Sequence, residues 1–313
     1  MHASIQGIGV PVARLVLGTA SLARSAARPG GLLDRVFEAG GNAFDTARVY
    51  GLGSSERVLG RWMRSRGIRD KVVIVTKGGH PHLLTFRSRL DRASILADLR
   101  SSLKTLRTDY IDLYLLHRDD PSLPVEALID SLNELQRLGL VRAFGVSNWT
   151  HLRIAQGNRH AQESGLSSLA ASSPHFSLAE WRRAPFPGCV SIAGPAGLEA
   201  RGWYHGSAMP VLAWSGLAAG YFARPGGGAA GLRADGVYRL PSNSARRDRV
   251  QALAARTGLT PSQVALAYLF AQPFVVFPVV STRSADRFRA NAQALDHPLT
   301  PAEARWLETG RDE

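Results

Sequence analysis

Cysteine is almost missing from this 313-residue chain. Cys189 stands alone, which excludes an internal disulfide and any multi-cysteine metal site. No apolar run approaches the ~20 residues that a membrane-spanning helix needs. The first residues, Met1-His-Ala-Ser-Ile-Gln-Gly, lack the basic and then apolar layout of a secretion signal. A cytoplasmic protein that does not enter the membrane is the expectation. Runs of like charge are absent too. The formal net charge is +13, from 38 basic and 25 acidic residues. Its basic residues are dispersed, and the densest clusters are the pairs Arg182-Arg183 and Arg246-Arg247. Such pairs are too small for a nucleic-acid-binding stripe, so no nucleic-acid partner is expected. Lysine is scarce as well, occurring only at Lys71, Lys77 and Lys104.

What is present is a rhythm. Short apolar cores recur at about Leu15–Leu17, Ala43–Phe44, Val72–Val75, Ile111–Leu116, Val141–Val146, Leu169–Ala171, Val211–Ala213 and Val275–Val280. Apolar runs without alternation suit parallel strands covered on both faces. Helical patterns lie between them. The stretch from Asp91 to Leu106 puts Ile95, Leu99, Leu103 and Leu106 on one stripe. The stretch from Pro124 to Gly139 opens with proline and closes with glycine. Thr260-Pro-Ser-Gln263 is a capping box ahead of an apolar helix. Eight such alternations predict an α/β fold, a (β/α)₈ TIM barrel forming a single domain over residues 1–313. Long loops are expected after strand six, Ser177 to Pro210, and strand seven, Leu217 to Asn243.

Several strand ends carry proton chemistry. Asn42-Ala-Phe-Asp45 ends in Asp45, with Tyr50 in the following loop. The run from Val72 ends in Lys77, and the run from Ile111 ends in His117. Barrel active sites lie at the C-terminal strand ends, so residues on three successive strands would converge there. Singly, each has an ordinary reading, as a helix cap, a packing aromatic, a strand-end charge and a core histidine. Together they form a chain with a chemical logic. A tyrosine titrates near pH 10, and a nearby ammonium favours its charged form. Asp45 would keep Lys77 charged, and His117 would orient a carbonyl by hydrogen bonding. Other patterns carry less. Gly226, Gly228 and Gly231 match G-x-G-x-x-G but sit in a glycine-alanine tract rather than between strand and helix. His80 and His82 have no nearby acidic or cysteine partner for a metal and read as exposed histidines. Cys189 reads as a small hydrophobe.

The residues Asp45-Thr-Ala-Arg-Val-Tyr-Gly51 and Ser55-Glu-Arg-Val-Leu-Gly60 resemble the aldo-keto reductase signature. The strand end Val75-Thr-Lys77, then Tyr110-Ile-Asp-Leu-Tyr-Leu-Leu-His117 and Gly145-Val-Ser-Asn148, match in order. The resemblance runs from Leu17-Gly-Thr19 to Asn291. It implies a (β/α)₈ barrel, NADPH-dependent reduction of a small-molecule carbonyl, and a catalytic tetrad of Asp45, Tyr50, Lys77 and His117, with Tyr50 as general acid. It implies that Ser147 and Asn148 hold the nicotinamide carboxamide, and that Ser173 stands where a glutamine is usual. Trp214 would stack on the nicotinamide, and Ser215-Gly-Leu217 would meet the pyrophosphate. Gly18, Thr19, Asp45, Ser281, Thr282, Arg283, Arg287 and Asn291 complete the implied cofactor contacts. Arg283 and Arg287 could grip a 2′-phosphate, which favours NADPH over NADH. Tyr50, His117 and Trp149 are the expected substrate contacts, and no metal is expected. Trp149, Phe176 and Trp203 could wall an aromatic pocket or simply pack the loops. Two rival functions remain at this point, a cofactor-sensing regulator resembling potassium-channel β subunits and a Schiff-base aldolase using Lys77.

Overall fold

The computed structural model of the chain describes residues 2–22, 29–223 and 234–311. The glycine-alanine tract at Gly226–Gly231 lies outside the described residues. Eight parallel strands, taken in sequence order, form a closed barrel. They are β1 (Val16–Gly18), β2 (Ala43–Asp45), β3 (Val73–Gly78), β4 (Ile111–Leu116), β5 (Val141–Ser147), β6 (Ser172–Ser173), β7 (Val211–Trp214) and β8 (Val276–Val280). Every residue of β3, β4 and β8 is buried. This is the reason those strands read as unbroken apolar runs rather than alternating ones.

Contacts divide the chain into two compact units, and the larger comprises residues 2–173 and 281–285. It holds strands β1 to β6 and helices α1 (Pro29–Glu38), α2 (Ser54–Arg66), α3 (Arg92–Leu106), α4 (Val125–Arg137) and α5 (His151–Glu163). A short antiparallel pair, His2–Ala3 with Val12–Ala13, precedes β1; the sequence offered no sign of it. The register pairs Asp45 with Val75 and Lys77 with Leu115. Asp45, Lys77 and His117 therefore leave adjacent strands at the same end. Helix α3 begins as expected, with Asp91 accepting from the Ser94 N–H. Proline 124 is the N-cap of α4 rather than its first helical residue. Gly60 on α2 lets two helices meet, because a Cβ there would come within 2.6 Å of the Leu106 carbonyl group.

The second unit comprises residues 174–280 and 286–313. It contains β7 and β8, paired in register from Val211↔Val276 to Trp214↔Val279. Its helices are α6 (Leu198–Ser207), α7 (Ala234–Val237), α8 (Pro241–Thr257), α9 (Pro261–Phe270), α10 (Ala285–Ala292, mostly here) and α11 (Pro301–Thr309). The capping box of Thr260 and Gln263 is formed.

Two expected elements differ. Strand six was expected at Leu169–Ala171, yet the ladder with β5 forms at Ser172 and Ser173. The apolar residues approach β5, with Ala170 N–H donating to Phe144 O, but Leu169 N–H is taken by the Asn158 side chain. Hydrophobicity marked the approach to the sheet, while two serines make the pairing. The two long loops are also partly helical. Trp203 and Tyr204 belong to α6, and residues 241–243 open α8. Asn243 is fully buried there, its amide donating to Glu180 O and Tyr238 O.

Candidate active site

The tetrad lies within the larger unit. Lys77 is 3% exposed and Asp45 4%. Lys77 Nζ donates to Asp45 Oδ2 at 2.6 Å and to Thr46 O at 2.9 Å. Burial alone would lower the Lys77 pKa, but the Asp45 carboxylate outweighs it and holds the ammonium above its ordinary value. Burial pushes Asp45 upward while Lys77 pulls it back. Tyr50 opens the turn after β2 and is half-buried, its ring 5.3 Å from Lys77 Nζ. The tyrosine departs from the expectation. Its pKa is raised rather than lowered, because burial exceeds the opposing pull of Lys77. Tyr50 therefore holds its proton at neutral pH.

His117 follows β4 at 6% exposure, with its ring edge-on to Tyr50 at 5.8 Å between centroids. Burial, reinforced by the charges of Lys77 and Arg118, drives its pKa well below the ordinary histidine value. The imidazole is neutral. Its Nδ1 is buried without a hydrogen-bond partner among the described residues, and buried polar nitrogens in this state are uncommon. The site thus places a protonated phenol and a neutral imidazole side by side, next to a buried ammonium.

The expected cofactor residues of this unit cluster around the tetrad. Thr19 follows β1 and donates its hydroxyl to Asp45 O at 2.9 Å; Ser55 Oγ in turn donates to Thr19 O. The Ser147 hydroxyl, at the end of β5, donates to Ser173 O at 2.9 Å. Asn148 donates its amide to Ser147 Oγ at 3.0 Å and to His117 O at 3.3 Å. Its φ of 61° is left-handed, a conformation that asparagine tolerates better than most residues. Ser147, Asn148 and Ser173 thus form one buried polar group at adjoining strand ends. Ser281 Oγ donates to Gly18 O at 3.3 Å, Thr282 Oγ1 to Ser284 O, and Arg283 is exposed.

In the second unit, Trp214 and Leu217 are partly exposed, and Ser215 has a left-handed φ of 56°. Arg287 is exposed on α10, and Asn291 is 4% exposed. His175, which the sequence reading did not single out, is the centre of an aromatic cluster. It stacks on Trp181 at 4.5 Å and meets Trp214 edge-on at 5.0 Å. Its ring nitrogens are bonded to Ser191 Oγ and Tyr238 Oη at 2.8 and 3.1 Å.

Two readings, those of Trp149 and His80, are corrected, and the alternative left open for Phe176 is decided. Trp149 is 1% exposed, donates its indole N–H to Arg118 O, and lies beneath Arg153. Packing occupies it, so it offers no face to a substrate. Phe176 is fully buried against Tyr268 and Phe274, a core residue rather than a pocket wall. His80 is not a surface histidine. It is half-buried, with its ring edge-on to His117 at 5.0 Å. Glu56, quoted in the motif without a role, is fully buried and accepts from Thr76 Oγ1 at 2.7 Å. Among the described residues, no helix is long and apolar enough to cross a membrane, and no group of three or more His, Cys, Asp or Glu could hold a metal.

A (β/α)₈ barrel with an acid, an ammonium, a phenol and an imidazole gathered at its strand ends has the make-up of an enzyme. Comparison makes the assignment specific: residues 14–309 match the Aldo/keto reductase family, and the chain belongs to it. It is 29% identical to norsolorinic acid reductase stcV of Emericella nidulans, over 96% of this chain and 78% of that one. It is 27% identical to the aryl-alcohol dehydrogenase [NADP(+)] of Phanerodontia chrysosporium, over 88% of this chain and 74% of that one. The crystal structure of the thermostable aldo-keto reductase Tm1743 with the inhibitor epalrestat shares the fold. Its TM-score is 0.76 at 22% identity, covering 99% of both chains. The protein is an oxidoreductase.

Proposed function

We propose that the protein is a cytoplasmic, NADPH-dependent reductase of aldehydes and ketones, aromatic carbonyls in particular, with Tyr50 as general acid. The observation that carries this reading is the buried Lys77–Asp45 pair at 2.6 Å beneath a Tyr50 ring that also meets His117. The relatives named for norsolorinic acid reduction and for NADP(+)-linked aryl-alcohol oxidation support an aromatic substrate and this cofactor. The match across residues 14–309 supports one barrel domain spanning the chain.

The buried polar group of Ser147, Asn148 and Ser173 fits a carboxamide, which needs both donors and acceptors. Trp214, Ser215, Leu217, Gly18, Thr19, Ser281, Thr282 and Asn291 are carried over as further cofactor contacts. Arg283 and Arg287 are carried over for the 2′-phosphate, both being exposed. When bound, the reduced nicotinamide supplies a hydride to the carbonyl carbon. His117, neutral, donates a hydrogen bond to the carbonyl oxygen and fixes its direction. Tyr50 gives that oxygen its phenolic proton, leaving a phenolate. Lys77 faces the phenolate and offsets its charge, and Asp45 holds Lys77 charged and in place.

A Schiff-base role for Lys77 fits less well. That chemistry starts from a neutral amine, whereas Asp45 holds this one as an ammonium. Steady-state oxidation of NADPH with a panel of aromatic aldehydes tests the proposal. Turnover in the wild type and a loss of 10²-fold or more in Tyr50→Phe, on the usual scale for a general acid, is expected. Undiminished turnover in Tyr50→Phe sinks the assignment. Absence of turnover on every carbonyl would favour the cofactor-sensing alternative.

A further inference from the structure

A second histidine stands beside His117. His80 follows β3 by two residues, and its ring meets the His117 ring edge-on at 5.0 Å. The loop holds it there. Gly79 has a left-handed φ of 66°, and a Cβ there would come within 2.5 Å of Leu90 Cδ2. The Gly79 N–H donates to Asp98 Oδ2 at 3.0 Å, and Asp98 is itself paired with Arg89. These contacts fix the backbone from which the imidazole projects.

The protonation pattern of the ring follows from its partner. His80 Nδ1 lies 2.8 Å from Pro81 O. A carbonyl can only accept, so Nδ1 carries the hydrogen. In a neutral imidazole the other nitrogen, Nε2, then presents a lone pair. Among the described residues Nε2 has no hydrogen-bond partner. Burial, together with the charge of Arg118, outweighs the Pro81 bond and Asp98 and lowers the His80 pKa, so the ring stays neutral. His80 is also the more exposed of the two imidazoles. The two neutral imidazoles, 5.0 Å apart between centroids, therefore combine a ring that can donate at His117 with a lone pair at His80 Nε2.

We propose that His80 is a specificity-determining residue whose Nε2 accepts a hydrogen bond from a hydroxyl close to the reacting carbonyl of the substrate. The inference rests on the carbonyl-reductase reading and adds the substrate class: hydroxylated aromatic aldehydes and ketones above their unsubstituted or alkylated counterparts. One hydrogen bond of this kind is worth about 2- to 12-fold in discrimination.

The test compares benzaldehyde, its 2- and 3-hydroxy forms and the matching methoxy ethers. A methoxy group keeps the oxygen and removes the donor. In the wild type, kcat/KM for at least one hydroxybenzaldehyde exceeds that for its methoxy ether by about 2- to 12-fold. His80→Phe, which keeps a flat ring without the lone pair, brings that ratio to about one. His80→Gln, whose Oε1 can accept, retains part of it. A ratio that is the same in the wild type and in His80→Phe overturns the proposal. If no aldehyde is turned over, the reductase reading fails separately. Calorimetric binding of the corresponding hydroxy- and methoxybenzyl alcohols then decides the role of His80 by the same ratio.

Discussion

Replacing Lys77 with methionine tests the electrostatics of the site most directly. Both side chains of the Lys77–Asp45 pair are almost enclosed, 4% and 6% exposed, so water cannot solvate a carboxylate left alone. Removing one partner of such a buried pair typically costs about 3–5 kcal/mol of stability. Methionine reproduces the lysine chain as far as Cε and lacks only the ammonium, so the loss measures charge far more than a cavity. The double variant Asp45→Asn/Lys77→Met removes the stranded charge and should fall short of the summed single losses by about 1–3 kcal/mol. The sign of the pH dependence follows. Burial already pushes Asp45 above its ordinary pKa, and Lys77 opposes that shift. Without Lys77, the folded-state pKa of Asp45 rises further above its unfolded value of about 3.9. The folded variant then binds more protons than the unfolded chain, so its stability falls as pH rises through that window. Relative to the wild type, Lys77→Met regains stability on acidification at up to about 1.4 kcal/mol per pH unit, whereas the double variant does not. Urea denaturation between pH 4 and 8, followed by far-ultraviolet circular dichroism, reads this out. A Lys77→Met deficit that is absent, or that does not change with pH, would refute the reasoning.

His175 is fully buried, and burial lowers its pKa to about 3. The folded state refuses a proton that the unfolded chain accepts below about pH 6.5, so stability is lost from there downward. His175→Gln should flatten that acid slope by up to about 1.4 kcal/mol per pH unit in equilibrium unfolding, whatever it does to stability at neutral pH. His117 shares the downward shift. The pH profile of kcat/KM should accordingly show no limb at the ordinary histidine value of about 6.5, and a limb there that vanishes in His117→Asn would contradict a neutral imidazole. Gly60→Ala places a methyl within 2.6 Å of the Leu106 carbonyl between α2 and α3. Overpacking of this kind costs about 1–3 kcal/mol, and an unchanged melting temperature would show that the two helices can part freely.

The barrel was legible because β3, β4 and β8 are buried on both faces, which forces unbroken apolar runs that cannot be mistaken for half-exposed strands. The gathering of Asp45, Lys77 and His117 was legible because each stands at the end of an apolar run, and the three runs form adjacent parallel strands. Strand β6 was displaced for a reason of the same kind. Its two bridging residues, Ser172 and Ser173, are polar, so no apolar signal marks them. His80 was read as exposed because nothing in the sequence of the loop gives its direction. The left-handed turn at Gly79 and the grip of Asp98 on that residue turn it toward His117, and both are tertiary facts. Trp149 failed in the opposite sense, since an aromatic next to a cofactor motif suggests a wall, yet Arg118 and Arg153 enclose it. His175 lay between two quoted residues and carried no pattern of its own; its importance comes from Trp181, Ser191 and Tyr238, which lie 6, 16 and 63 positions away.

The pKa of Tyr50 is raised, the opposite of the shift that its spacing from Lys77 suggested. Spacing alone suggested an ammonium pulling the phenol toward its charged form. The enclosure of Tyr50 opposes that pull more strongly, and the resting phenol keeps its proton. A general acid needs this order of events, because a tyrosine already ionised has nothing to give. The ammonium acts only as charge appears. A negative charge at the Tyr50 ring centre, 5.3 Å from Lys77 Nζ, would be favoured by ~3 kcal/mol at an effective dielectric constant of about 20. In the proposed mechanism, burial and the ammonium act at different moments of one proton transfer. Asp45 connects them: it keeps Lys77 charged in a site whose burial would otherwise neutralise it. His117 is left neutral by the same burial and the same neighbouring ammonium, so the charge that readies Tyr50 to lose its proton also stops the histidine from competing to supply one.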